Sequence, residues 1–315
     1  MRSPAPNAMM TDAARFSDSD GFLNTNGKGP GLRMADVHDL AIGEIIRQWH
    51  RLTDEQIEQI LAYQHEHGIR FGEAAVALRL ASNEDVLRAL SQQFHYPYTP
   101  GLGRPNANGE LVMAANPFSD EAELFRELRS QLIMGVMGAQ ESRRALAVLS
   151  PNVGDGKSFV AANIAIAFSQ LGGRTLLVDA DMRTPRQHKV FGLGQTFGLS
   201  NLLSSRTEQN SIHQVPDLPN LFLLPVGAVP PNPLELVQRP AFGLLITELL
   251  SKFDYVVVDT PAAAHGADAR VVASKCGAAL LIGRKGKTRM PVLESLVKSL
   301  AKSPVKLAGV VMNEW

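Results

Sequence analysis

Two periodicities divide this chain. Residues 145–149, ALAVL, form a short apolar run suited to a buried strand, and Ser150 to Gly156 is rich in turn formers. Beyond Gly156-Lys157-Ser158 an apolar helical pattern opens, FVAANIAIAF. A second strand pattern, TLLV, runs into Asp179 and Asp181, and alternation puts both carboxylates on one face at its C-terminal end. A third, Asp254 to Pro261, DYVVVDTP, is continuously apolar, as a central parallel strand should be, and ends in Asp259. Strands alternating with helical patterns predict an α/β fold with a doubly wound, mostly parallel sheet.

The N-terminal third follows another rhythm. Residues 1–38 are rich in Gly, Ser, Asn, Asp and Pro and are expected to be disordered. Residues 39–98 are compact and helical in pattern, 99–118 read as a linker, and the large domain occupies 119–315. Within the helical part lies an internal repeat of 29-residue period. Ala41-Ile42-Gly43-Glu44 answers Arg70-Phe71-Gly72-Glu73, and Ile57, Leu61 and Gln64 answer Val86, Leu90 and Gln93. Thr53-Asp54-Glu55 and Ser82-Asn83-Glu84 read as matching helix N-caps. Two packed helix–turn–helix units would bury the repeated apolar positions, giving a small all-α domain before the α/β one.

Composition narrows the function. The 315 residues carry 31 basic and 31 acidic side chains, so no global basic field points to nucleic acid. A single cysteine, Cys276, excludes a disulfide framework within the chain, suits a reducing cytosol and reads as a packing residue. No apolar run reaches the roughly 20 residues of a spanning helix. The start, MRSPAPNAMMTDAARF, lacks the apolar core of a secretory signal.

Strand, glycine loop and helix start are the setting that a nucleotide-phosphate loop requires. Gly154 and Gly156 let the backbone approach phosphates, the Gly154–Ser158 amides including that of Asp155 face an anion, and the helix dipole favours negative charge. Lys157 can reach the β/γ oxygens, while the Ser158 hydroxyl and Asp259 suit Mg²⁺. Each strand-end Asp has an ordinary alternative as a helix cap. Three strands delivering Lys/Ser, Asp/Asp and Asp to one sheet edge favour the phosphate-loop NTPase reading. Elsewhere, Glu123, Arg126 and Arg129 lie three apart on one helix face, which by itself is an ordinary solvated surface.

Residues 119–315 resemble the bacterial tyrosine kinases of polysaccharide export, whose loop reads S-P-x-x-G-x-G-K-S/T and accounts for Pro151. Asp179, Asp181 and Arg183 match the Walker A′ element, which continues through Pro185, His188 and Phe191 into GLSNLL. Asp259 matches Walker B, GAVPPNPLEL a proline-rich family segment, and RKGKT and Asn313 also fit. Partition and septum-positioning relatives carry a second lysine where Asn152 stands here, which favours kinase. The resemblance implies ATP and Mg²⁺ as cofactors, with Lys157 and the loop neutralising phosphate charge and Asn313 at the adenine. Of Asp179 and Asp181, one assists the metal and the other accepts the tyrosine proton; Arg183 holds phosphate or orients the pair. It also implies that Glu123, Arg126 and Arg129 form the subunit contact of a ring. A transmembrane chain-length regulator would recruit the cytoplasmic chain to the inner face of the membrane. Members usually end in a tyrosine cluster; here the tyrosines are Tyr63, Tyr96, Tyr98 and Tyr255, so the acceptor lies elsewhere or the chain is a nucleotide-dependent assembly or signalling switch.

The repeat resembles the small N-terminal domain of type II secretion and pilus ATPases. Some of those bind cyclic di-GMP through tandem motifs that start Arg-Leu-Gly and end in Gln. Arg70, Gly72 and Gln93 survive in the second copy, while Ala41, His50, Phe71 and Arg79 depart from the pattern. The expectation is a docking or structural domain, with cyclic di-GMP at Arg70 and Gly72 as the alternative.

Overall fold

The computed structural model describes residues 34–93, 109–138, 142–194, 197–204, 211–216 and 218–314. The helical repeat is α1 (Met34–His50), α2 (Asp54–His67), α3 (Phe71–Ala77) and α4 (Asn83–Gln93). Thr53 caps α2 in a capping box with Gln56, and the Ser82 hydroxyl accepts the Asp85 N–H at 3.1 Å at the start of α4. Ile42, Ile46, Leu52, Ile60, Phe71 and Ala89 are among the side chains of its core. The repeat is imperfect: Leu90 packs against that core, but its counterpart Leu61 is 42% exposed because Ile60 takes the inward position on α2.

Two boundaries differ from expectation. The first helix starts at Met34, inside the stretch expected to be disordered. The part of the expected linker at 99–108 lies outside the described residues. Its remainder is core, not linker: Leu111 to Ala114 are buried around α5 (Val112–Ala115). The buried Asn163 accepts the Met113 N–H at 3.0 Å and donates to the Glu110 carbonyl at 2.7 Å. Flanking Gly, Pro and Asn concealed the short apolar run LVMAA.

The rest of the chain is α6 (Asp120–Met134), β1 (Ala145–Leu149), α7 (Lys157–Ser169), β2 (Thr175–Asp179), α8 (Gln187–Val190) and α9 (Leu199–Leu203). It continues with β3 (His213–Gln214), β4 (Leu221–Leu224), α10 (Pro233–Gln238), α11 (Pro240–Lys252) and β5 (Tyr255–Asp259). Last come α12 (Asp268–Cys276), β6 (Gly277–Arg284), α13 (Met290–Leu300) and β7 (Lys306–Asn313). The sheet order is β3-β4-β2-β5-β1-β6-β7, and every pairing except β3 with β4 is parallel. Apolar side chains of α5, α6 and α7 pack one sheet face; those of α11, α12 and α13 pack the other. This is the expected doubly wound sheet. Because both faces are covered, β1 and β2 are buried at every position. Cys276 is buried, and desolvation pushes its thiol far up, as suits a packing residue. Among the described residues no helix is long and apolar enough to cross a membrane.

Candidate nucleotide site

The C-terminal ends of β1, β2 and β5 deliver the site. Asp179 and Asp259 are register partners on β2 and β5, and both are fully buried, as is Asp181. Gly154 and Gly156 turn with φ of +82° and +98°, a left-handed backbone that favours glycine, and Gly156 caps α7. The turn brings Lys157 and Ser158 to the first positions of that helix, nearly buried. Lys157 Nζ lies 2.9 Å from Asp181 Oδ2. Burial works against the Lys157 charge, but Asp259, Asp181 and Asp179 outweigh it, so its pKa is raised.

The three carboxylates differ. Asp179 is a brace: Oδ1 accepts the Asp181 N–H, and Oδ2 accepts those of Arg186 and Gln187 at 3.2 and 3.0 Å. Desolvation, then repulsion from Asp259, raises its pKa well above the ordinary carboxylate range despite those bonds. Asp181 Oδ1 accepts the Arg183 and Thr184 N–H groups, leaving Oδ2 to the Thr184 hydroxyl and Lys157. Asp259 Oδ2 accepts Gln187 Nε2 at 2.8 Å, while its buried Oδ1 has no partner. Burial raises the Asp259 pKa, opposed by Lys157 and by bonds from Ser158 and Gln187.

Three carboxylates thus face one ammonium, and Asp259 keeps one bare buried oxygen. That arrangement fits a divalent cation shared with a phosphate, where the protein supplies only one or two oxygens. Consistently, the described residues hold no group of three Asp, Glu, His or Cys side chains able to cage a metal alone. Of the expected metal ligands, Ser158 and Asp259 present oxygens to that position, whereas the Asp179 oxygens are engaged by backbone amides.

Other expected residues fall out differently. Asn313 reaches the loop, donating to the Asp155 carbonyl at 3.1 Å, and a Cβ on Gly156 would overlap its amide. Asp155 itself is turned away from the phosphate position: its carboxylate accepts the Thr288 hydroxyl at 2.9 Å and the Asn152 N–H at 2.8 Å. The Arg183 guanidinium is committed to Asp268 on α12, at 3.1 to 3.3 Å, and braces the Asp181 turn. Sequence reasoning missed Gln187, which joins the Ser158 carbonyl to Asp259, and also Asp268; neither sits in a pattern that marks it.

On α6, Arg126 pairs with Glu123 at 2.5 Å and donates to the Pro117 carbonyl, while Arg129 donates to the Ala167 carbonyl at 2.8 Å. Both arginines therefore bond within the chain, whereas the Glu123 side chain is 72% exposed. In the repeat, Gly72 is closed over by Val86 and Gly43 by Phe71, and the Arg70 backbone caps α3 through Glu73. Packing accounts for both glycines, and nothing among the described residues supports cyclic di-GMP there.

A buried lysine on strand-end carboxylates at the mouth of a glycine loop defines a P-loop NTPase. The family profile described as ParA, NUBPL iron-transfer P-loop NTPase, matches residues 141–313. The chain is 34% identical over 204 residues to tyrosine-protein kinase Wzc of Salmonella typhimurium, covering 65% of this chain but only 28% of that protein. It is 31% identical to tyrosine-protein kinase YwqD of Bacillus subtilis, covering 64% of this chain and 85% of YwqD. The solved kinase domain of Escherichia coli tyrosine kinase ETK superposes with a TM-score of 0.61 at 29% identity, over 64% of this chain and 79% of that one. The chain belongs to the bacterial tyrosine-protein kinases.

Proposed function

We propose that this chain is an ATP- and Mg²⁺-dependent protein tyrosine kinase that regulates exopolysaccharide chain length and export. The observation that carries the reading is the pairing of Lys157 with Asp181 beside the unpartnered oxygen of Asp259. ATP supplies the γ-phosphoryl group, and Mg²⁺ neutralises its charge. The Gly154–Ser158 amides and Lys157 hold the phosphates, and Ser158 and Asp259 supply the protein oxygens for the metal. The tyrosine oxygen bonds to the γ-phosphorus, the bond to the bridging oxygen breaks, and ADP leaves. One of Asp179 and Asp181 takes the hydroxyl proton; both are fully buried beside Lys157 and both accept backbone amides.

In this reading the chain acts in the cytoplasm at the inner face of the membrane with a transmembrane chain-length regulator, and assembles into a ring. Support for assembly comes from α6, where Glu123, Leu124 and Met134 are exposed, at 72%, 65% and 79%. Incubation with labelled ATP, followed by separation of phosphotyrosine from free phosphate, tests the kinase. Wild type should yield phosphotyrosine, and Lys157→Ala should lower the rate about a thousandfold, since a charged donor to the transferring group is lost. An unchanged rate in a folded Lys157→Ala protein rejects the site. Free phosphate without phosphotyrosine favours the alternative, an assembly switch.

A further inference from the structure

A groove runs along the outer wall of the phosphate loop, on the sheet face covered by α12 and α13. Its middle is a cavity of about 440 Å³ walled by Pro151 and Asn152 of the loop, Ala263 and Ala264 after β5, and Pro291 of α13. Past Asn152 and Val292 it opens into a space of about 330 Å³ rimmed by Arg284, Lys287 and Arg289. At the other end, across Arg270, Ser295 and Ser299, it meets a space of about 580 Å³ bordered by Lys298 and Lys302. Apart from Arg270 at its edge, the middle is lined by uncharged side chains and lies between two cationic ends.

Only part of the charge is cancelled locally. Among the described residues, two acidic side chains line these spaces, Asp155 and Glu294. Asp155 is engaged by Thr288 and Asn152, and Glu294 sits 3.8 Å from Lys298. Arg270 donates to the Ser299 hydroxyl at 3.1 Å, and Lys287, Arg289 and Lys302 have no carboxylate partner among the described residues. In a chain of zero net charge, such one-signed ends beside a phosphate loop ask for a complement.

We propose that this groove binds the phosphate acceptor, an extended segment of another chain in which a tyrosine is flanked on both sides by Asp or Glu. The proposal rests on the kinase reading and adds the chemistry of the acceptor. The aromatic ring lies in the uncharged middle, against the wall of the phosphate loop, and the acidic flanks reach the two cationic ends. An acceptor from elsewhere agrees with the described tyrosines of this chain. Tyr255 is stacked on Phe168 with centroids 4.5 Å apart, and Tyr63 on His67 at 3.9 Å. Tyr96 and Tyr98 lie outside the described residues, and their surroundings, FHYPYTP, contain no acidic residue.

The test is fluorescence anisotropy of the full chain with a labelled peptide carrying one tyrosine between glutamates. Matched peptides carry glutamines or lysines in place of the glutamates. At low salt the glutamate peptide should bind about tenfold tighter than the glutamine peptide, from several exposed pairs acting together. The double variant Lys298→Glu/Lys302→Glu, which reverses one of the two cationic ends, should cut that preference to about threefold while leaving the affinity for labelled nucleotide unchanged. Equal affinities for the three peptides, or a preference that the charge reversal leaves at full size, overturns the groove. So does a charge reversal that changes only sedimentation, which makes this face an interface between copies. Phosphotyrosine on the glutamate peptide is scored separately. Preferential binding without transfer keeps the groove and rejects the kinase reading.

Discussion

The helical repeat and the nucleotide-binding layer use glycine and polar residues for opposite ends. In the repeat, Gly72 has an ordinary backbone and makes room: a Cβ there would stand 2.6 Å from Val86 Cγ1. In the loop, Gly154 has open space around it and is needed only for its φ of +82°. Polar burial divides the same way. Among described residues, Ser91 is the one buried polar side chain in the repeat, whereas Lys157, Asp179, Asp181, Gln187 and Asp259 are buried together at one sheet edge. Burying charge costs several kcal/mol per ion. The contrast teaches that a motif glycine marks a ligand site only when the backbone conformation requires glycine and buried charge lies beside it.

The strongest break of this contrast is at the buried charge. Asp259→Asn should lower phosphate transfer about a hundredfold or more, because the oxygen offered to the metal loses its charge. It should also change the pH dependence of stability. Asp179 and Asp259 both have raised native pKa values, so their contribution to stability is full below the ordinary carboxylate range and is lost as pH rises through the raised values. Calorimetry across that acid-to-neutral range should find a flatter decline of Tm in Asp259→Asn than in wild type.

Next in size is Gly156→Ala, where the added Cβ would overlap the Asn313 amide in a left-handed backbone. Strain and overpacking of about 3 kcal/mol correspond to about a hundredfold in nucleotide Kd, read by titration with a fluorescent nucleotide. Gly72→Ala should destabilise the repeat by about 1–3 kcal/mol in denaturant unfolding and leave nucleotide affinity unchanged. A loss of affinity there would collapse the distinction between the two regions. The smallest effect belongs to Gly154→Ala, where only backbone strain of about 1–2 kcal/mol is added.

What the sequence made legible was local. Strand, loop and helix adjoin around Lys157, Asp179 ends a strand with Asp181 in the turn two residues on, and Thr53 and Ser82 precede the helices they cap. What it concealed was distant or directional. Gln187 meets Asp259 across 72 positions, Arg183 meets Asp268 across 85, and Thr288 meets Asp155 across 133. No periodicity encodes such pairs, because they depend on which strands become neighbours. The spacing of Glu123, Arg126 and Arg129 was plain, but their direction was not. A helix face becomes inward or outward only once α7 is packed beside it, and Arg129 then finds the Ala167 carbonyl. The Leu111–Ala114 segment is a third kind of case, a run too short for its own period to outweigh the turn formers around it.

The Asn163 clasp holds residues 110–113 against the nucleotide-binding layer. Within that segment, both carboxylate oxygens of Glu110 accept Arg186 Nη2 at 2.7 Å. The Arg186 amide in turn holds Asp179. Glu110 thus stands one residue removed from Asp179, so any strain on the 110–113 segment is met first by Asn163 and Arg186 and only then by the carboxylate.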